Sequence, residues 1–301
     1  MVKYETEGGD YMICNACPRN CGIDRSESRG FCGVKENFVV ARAAKHFWEE
    51  PPISGTNGSG TVFFSGCNLR CAFCQNFEIS RAKTGKEISE ERLTEIFDEL
   101  ISSGVHNLNL VTAAHYAEKL SLLLQKYRSK VPVVYNSSGY EKAETLKKLD
   151  GVIDIYLPDL KYISPERAMK YSKAEDYFEN ASKAILEMRR QQPEDIFDEN
   201  GLMKKGLIIR HLILPKNTNQ SKLIFDWIKE ALGTDTYISL MAQYTPCGEI
   251  ENLPELQRRI TEREYEKVLS YCEELGFKNV FVQDLDSAKK NYIPDFDLTG
   301  V

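Results

Sequence analysis

At 301 residues, 42% hydrophobic and 28% charged, the chain has the make-up of a soluble globular protein, with room for two domains or for one large α/β barrel and an appendage. A net charge of −6 and an isoelectric point near 5.5 argue against a duplex nucleic-acid binder, which needs a basic face to displace counterions. No run of about 18 apolar residues is present, so no membrane span is expected; residues 1–10 lack the apolar core of a signal peptide, and the expected location is the cytoplasm.

Cytosolic thiols stay reduced, so the nine cysteines need a role other than disulfides. Seven of them fall in two tight groups, which reads as metal chemistry. The first group is Cys14, Cys17, Cys21 and Cys32, spaced C-x2-C-x3-C-x10-C, with Gly22, Gly30 and Gly33 supplying the turns that wrapping a small centre demands. That spacing matches neither the bacterial ferredoxin run nor the paired knuckles of a zinc ribbon. Structural zinc, a second iron–sulfur cluster, redox-active thiols and plain core packing all stay open. Residues 39–48 then read as a strand or short helix that docks this segment, and 49–60 as a turn-rich connector. The expected division is a Cys-rich segment over 1–55 and a barrel over 56–301.

The second group follows the apolar run Thr61-Val62-Phe63-Phe64 and reads Cys67-Asn68-Leu69-Arg70-Cys71-Ala72-Phe73-Cys74. Three thiolates leave one position of a metal centre open, whereas structural zinc or an ordinary ferredoxin cluster takes four protein ligands. Three buried core cysteines are the alternative, since free cysteine is among the most buried residue types. The stretch resembles the signature of the radical S-adenosylmethionine (radical SAM) enzymes, C-x3-C-x-aromatic-C just after the first barrel strand, with Phe73 in the aromatic slot. The resemblance implies a [4Fe–4S] cluster on Cys67, Cys71 and Cys74, with its fourth iron chelated by S-adenosylmethionine. An electron from that cluster breaks the sulfonium bond and releases a 5′-deoxyadenosyl radical. In the leader, the Cys-Pro-Arg-x-Cys block, Trp48-Glu49-Glu50-Pro51 and Ser54-Gly55-Thr56 resemble the subgroup similar to pyruvate formate-lyase activating enzyme.

From about residue 60 to 284, strands and helices alternate. Strand candidates are 61–66, 107–112, 132–136, 152–157, 207–214, 236–241 and 279–283. Between them run stripes of helical period: Leu93, Ile96, Phe97, Leu100 and Ile101; then Leu120, Leu123, Leu124 and Tyr127. Leu223, Ile224, Trp227, Ile228 and Ala231 make a third, and a Thr261–Glu264 capping box precedes Tyr265, Val268, Leu269 and Cys272. Residues 165–206 are a longer excursion with two helical stretches. Strands separated by helices mean a parallel sheet, and seven or fewer suggest an incomplete barrel. The expected fold class is α/β: a partial (β/α) barrel of the radical SAM type with a small Cys-rich N-terminal segment.

Active residues belong at the C-terminal ends of such strands. Asn76 stands where activating enzymes carry polar groups near the methionine part of the cofactor, or is a turn former. After the second strand the family places Gly-Gly-Glu for the cofactor ammonium. Here stands Thr112-Ala113-Ala114-His115, so the Thr112 hydroxyl or backbone carbonyls would have to accept those bonds. His115 either faces the cavity, caps a helix or lies at the surface. Asn136-Ser137-Ser138-Gly139 suits ribose hydroxyls or an N-cap. Asp159-Leu160-Lys161 points two charges to one side of an extended segment. The resemblance implies cofactor contact by both, a surface ion pair being the alternative. Arg210 lies in an apolar strand and needs a carboxylate partner, while His211 points to the opposite face. Gln243, Tyr244 and Gln283 end later strands; Cys247 and Cys272 read as structural. The cofactor-binding candidates are thus Phe73, Asn76, Thr112, Asp159, Lys161 and Arg210.

The activity implied is hydrogen abstraction by an oxidoreductase in an oxygen-poor setting, with flavodoxin or ferredoxin as electron donor. The target is a glycyl-radical enzyme, a peptide or a small molecule. The rival reading is a non-catalytic iron–sulfur electron-transfer or metal-binding protein.

Overall fold

A computed structural model describes residues 2–4, 11–283 and 294–301. The leader opens with an antiparallel ribbon of β1 (Val2–Tyr4) and β2 (Tyr11–Ile13). It continues through β3 (Phe38–His46) and the single-turn α1 (Pro51–Ser54). Next come β4 (Ser59–Phe64), α2 (Phe77–Ser80), β5 (Lys86–Ile88), α3 (Glu90–Ser102), β6 (Leu108–Val111) and α4 (Ala117–Tyr127). The middle of the chain forms β7 (Val133–Ser137), α5 (Ala143–Leu146), β8 (Ile155–Pro158), α6 (Pro165–Ser172) and α7 (Tyr177–Gln191). It ends with β9 (Ile196–Phe197), β10 (Met203–Leu212), α8 (Thr218–Leu232), β11 (Tyr237–Met241), α9 (Glu262–Glu274) and β12 (Val280–Val282).

Strands β4, β6, β7, β8, β10, β11 and β12 lie side by side in chain order, all parallel. These are the seven strands the alternation predicts. β3 pairs antiparallel with β4 and β5 pairs antiparallel with β3, so the leader adds to the same sheet. Residues 39–48 therefore resolve into a strand. The sheet runs from β12 to β5 without closing on itself among the described residues, which makes the barrel partial. No helix of the described residues is long and apolar enough to cross a membrane.

Both faces of the central strands are buried, as a parallel sheet requires. Tyr135, Tyr156, Leu207 and Ile209 pack outward under the helices, while Val134, Ile155, Leu157 and Ile208 alternate onto the inner face. The inner face is filled from an unexpected source. Residues 49–55, expected only as part of a connector, thread into the barrel, and fully buried Ile53 packs on Val134, Ile155 and Ile208. Pro51 and Pro52 start the short turn of α1, and Asn107 Nδ2 donates to Ile53 O at 2.7 Å.

The helical stripes are buried as the period requires, with one rotation: α8 buries Ile224, Phe225 and Ile228, whereas Leu223 is 46% exposed. The capping box on α9 is formed in both directions. His115 neither faces the cavity nor lies at the surface. It sits in a single 3₁₀ turn after β6, buried against Tyr116, with Nε2 3.0 Å from Ser65 O. His211, on β10, lies buried on the outer side between Leu160 O at 2.7 Å and Ser221 Oγ at 2.9 Å.

Two measurements test this packing. Ile53→Ala is expected to lower the unfolding free energy in urea by about 2–5 kcal/mol; a loss below about 1 kcal/mol would mean that the threaded segment does not pack. Burial, with Arg25 nearby, pulls the His115 imidazole down to about 3, so the unfolded chain takes up a proton that the folded chain refuses. Stability is therefore present above the unfolded value near 6.5 and is lost as pH falls below it. Relative to His115→Gln, the natural chain should lose about 2 kcal/mol between about pH 7.5 and about pH 5. Parallel stability profiles for the two proteins would count against it.

Candidate active site

The loop that leaves β4 is clamped from both sides. On the leader side, Cys67 N donates to Cys32 O at 3.2 Å and Arg70 Nη1 donates to Phe31 O at 3.1 Å. In return, Arg19 Nε donates to Asn68 O at 2.8 Å. Gly66 makes this approach possible: at φ +87 it occupies the left-handed region, and a Cβ there would meet Cys32 O at 2.8 Å. On the barrel side, Glu249 N donates to Ala72 O at 2.7 Å, and Gly248 sits so close that a Cβ would fall 2.1 Å from the same oxygen. Cys247, expected to be structural, donates to Phe73 O at 3.4 Å and borders the cavity.

Within this loop Cys67 and Cys71 are buried and Cys74 half-buried. Cys67 Sγ accepts from Leu69 N and Arg70 N, each at 3.4 Å, and Cys71 Sγ accepts from Ser172 Oγ at 3.1 Å. Burial and the neighbouring thiols push Cys74 up to about 12. Loading this site with metal must then release protons. Phe73 packs its ring against the edges of Tyr162, Tyr171 and Tyr244, at centroid distances of 6.4, 6.2 and 6.0 Å, and so locks the aromatic position into the core.

A cavity of about 180 Å³ opens under the loop, at the C-terminal ends of the parallel strands. Cys67, Cys71 and Cys74 border it, as do all six cofactor-binding candidates: Phe73, Asn76, Thr112, Asp159, Lys161 and Arg210. Asn76 Oδ1 is buried without a partner, and the side chain does not cap α2. Thr112 holds φ +61, a left-handed conformation costing a branched residue about 1–2 kcal/mol. Such strain is retained where the surrounding structure demands a particular backbone course. Ser137 and Ser138 also line the wall; the helix that follows takes Lys142, not either serine, at its N-cap position.

Charge in the cavity is organised by Arg210. Its Nε donates to Asp159 Oδ1 at 2.9 Å, Nη2 to Asn136 Oδ1 at 2.6 Å and Nη1 to Glu49 Oε2 at 3.3 Å. Lys161 Nζ donates to the other Asp159 oxygen at 2.6 Å. Burial alone would raise the Asp159 carboxyl, but Arg210 and Lys161 hold it below the ordinary range. Glu49 accepts from Asn109 Nδ2 at 2.9 Å. Burial pushes Glu49 and Glu50 up, opposed chiefly by Arg210.

Sequence reasoning missed Glu49, Glu50 and Asn109. Two adjacent carboxylates just before Pro51-Pro52-Ile53 are the signal that would have found the first pair. The leader cysteines stand apart from the cavity wall. Cys14, Cys17 and Cys32 are buried, all four thiols are free, and Phe31 N donates to Cys21 Sγ at 3.3 Å. Burial and the other three thiols push Cys17 up to about 12. Among the described residues, no three thiols, imidazoles or carboxylates converge closely enough for a single ion, whose thiolate bonds are about 2.3 Å long.

Residues 61–204 match the model of the Radical SAM superfamily. An uncharacterised protein of Methanocaldococcus jannaschii is 30% identical over 291 residues, which cover 93% of this chain and 80% of that one. The 7-carboxy-7-deazaguanine synthase of Methanothermobacter thermautotrophicus is 25% identical over 153 residues, covering 48% of this chain and 56% of that enzyme. SuiB of Streptococcus suis, solved bound to S-adenosylmethionine, aligns with 72% of this chain at a TM-score of 0.46 and 13% identity; the chain spans 48% of SuiB's length. The chain carries a Radical SAM superfamily domain over residues 61–204, and that domain implies cleavage of S-adenosylmethionine at an iron–sulfur cluster.

Proposed function

We propose that the protein is a radical SAM oxidoreductase in which Cys67, Cys71 and Cys74 hold a [4Fe–4S] cluster and the adjoining cavity holds S-adenosylmethionine. One observation carries the reading: the three thiols and the six cofactor-binding candidates, drawn from separate strand ends, border a single cavity. The fit rests on the donor set and on Asn76 Oδ1, a buried acceptor left without a partner at the wall. When bound, the cluster and cofactor supply reductive cleavage to a 5′-deoxyadenosyl radical, which takes a hydrogen atom from the substrate.

The chain's own residues then bind and orient. Lys161 is the cation suited to the cofactor carboxylate; Asp159 holds the Lys161 side chain in place, and Arg210 holds Asp159. Ser137 and Ser138 offer hydroxyl partners for a ribose. Phe73, pinned by three tyrosines, fixes the loop against rotation. Radical SAM enzymes need a reductant such as flavodoxin or ferredoxin, and an oxygen-poor setting fits an exposed-iron cluster. The target proposed is a glycyl-radical enzyme, as in activation like that of pyruvate formate-lyase, a peptide or a free small molecule. The four leader thiols are proposed as a second centre, zinc or iron–sulfur, whose ligands would have to draw together on loading; the reading is supported by the nearness through which the other three thiols raise Cys17 and by the backbone hydrogen bond from Cys67 N to Cys32 O.

Anaerobic reconstitution with a chemical reductant should yield 5′-deoxyadenosine, and Cys71→Ala should abolish it. An intact cluster without that product would favour the electron-transfer reading. About eight irons per chain would support a second cluster, and about four with no zinc would remove the second centre. Lys161→Ala should raise the S-adenosylmethionine requirement at least tenfold with iron content unchanged; an unaltered requirement would sink the role given to Lys161.

A further inference from the structure

Next to the cofactor cavity, and sharing Asn76, Asn136, Arg210 and Gln243 with it, lies a second chamber of about 100 Å³ that the cofactor candidates do not explain. The threaded leader contributes Glu49 and Glu50 to its wall. Its unpartnered buried atoms are all acceptors. Among the described residues, Glu50 Oε2, on a residue only 7% exposed, has no hydrogen-bond partner, although Ser239 hydrogen-bonds the same side chain. Gln283 Oε1 and Asn76 Oδ1, in the same wall, have none either. An amide can turn its nitrogen inward instead, so the weight rests on Glu50: burial pushes its carboxyl up, and a bound cation would hold it in the ionised form, which can only accept.

Among the described residues, the donors nearby are already engaged. Arg210 is divided among Asp159, Asn136 and Glu49, and the Asn109 and Asn136 amide nitrogens both donate to Glu49. The charges do not balance either. Glu49, Glu50 and Asp159 face Arg210 and Lys161, so three carboxylates meet two cations among the described wall residues. A buried carboxylate with a free oxygen, sharing its nearby cation Arg210 with Asp159 and Glu49, is costly to keep ionised, and a ligand bearing both charge and N–H groups would remove that cost.

We propose that this chamber receives a cationic group carrying N–H donors, a protonated amine or a guanidinium, belonging to the molecule on which the enzyme acts. The proposal rests on the radical SAM reading only for the word substrate; the cation site itself stands on Glu50. The cofactor also carries an ammonium, so the test must separate the two sources.

The test uses the full chain with its cluster reconstituted. Ethylammonium and methylguanidinium chlorides are titrated at constant ionic strength, against choline, which has the charge but no N–H, and ethanol, which has no charge. The first two should raise the unfolding midpoint in a dose-dependent way and the last two should not. Glu50→Gln should weaken that binding at least tenfold while leaving S-adenosylmethionine affinity and iron content unchanged, and the probes should still bind with the cofactor saturating. Equal responses to choline or ethanol, or an unchanged Glu50→Gln, would overturn the site. Loss of probe binding on adding the cofactor, together with weaker cofactor binding by Glu50→Gln, would assign the chamber to the cofactor ammonium and overturn the substrate assignment. If Glu50→Gln does not fold, the contrast between ethylammonium and choline in the natural chain decides. Probe binding without formation of 5′-deoxyadenosine would reject the proposed function and leave the cation site standing.

Discussion

A guanidinium on the inner face of a barrel strand is tolerable only if the barrel surrounds it with acceptors, and the arrangement of this protein follows from meeting that demand at Arg210. Desolvation of such a charge is unfavourable by several kcal/mol unless its hydrogen bonds are made. Three separate stretches make them: the residue just after β8 through Asp159, β7 through Asn136, and the leader through Glu49. The demand then spreads outward. Asp159, held by Arg210, fixes Lys161; Glu49, held by Arg210, fixes the course of the leader inside the barrel. The polar wall of the cavity and the packing of Ile53 below it are thus two results of one charge.

The three-cysteine loop is held by a different device, a mutual exchange of arginine side chains onto backbone carbonyls. Arg19 reaches from the leader to the loop, and Arg70 reaches from the loop to the leader. Both bind carbonyl oxygens, so neither depends on the partner's side chain, and Arg70 places its charge beside Cys67 and Cys32. The Gly248 contact closes the other side with a separation no side chain would permit. A three-cysteine loop of this kind needs such support, because a short irregular segment has no regular ladder of its own to keep its sulfurs in place.

Much of this was legible because it is encoded locally. Seven parallel strands and four helix stripes announce themselves by period, and the three cysteines by spacing. Asp159 and Lys161 share a side because alternate residues of an extended segment do. What escaped was long-range. Glu49 and Glu50 looked like part of a turn-rich connector, since nothing within a few residues says that the connector threads a barrel. His115 had the right chemistry for a cavity, but tertiary contacts with Ser65 and Tyr116 bury it elsewhere. Leu223 and Phe225 exchanged places because a helical stripe fixes a face only to within about one residue. Cys247 looked isolated, and only the fold brings it beside the cluster loop.

Because neighbouring parallel strands are also consecutive in the chain, the sheet can grow one strand at a time as the polypeptide is made. The ion network cannot. Glu49 waits for Arg210, which is synthesised 161 positions later, and Asp159 and Asn136 wait with it. A nascent chain that has reached β8 already holds every cysteine of both groups, yet its inner carboxylates lack their counter-charge. Docking of β10 is therefore the step that completes the chamber, and it makes the order of synthesis part of how the site is assembled.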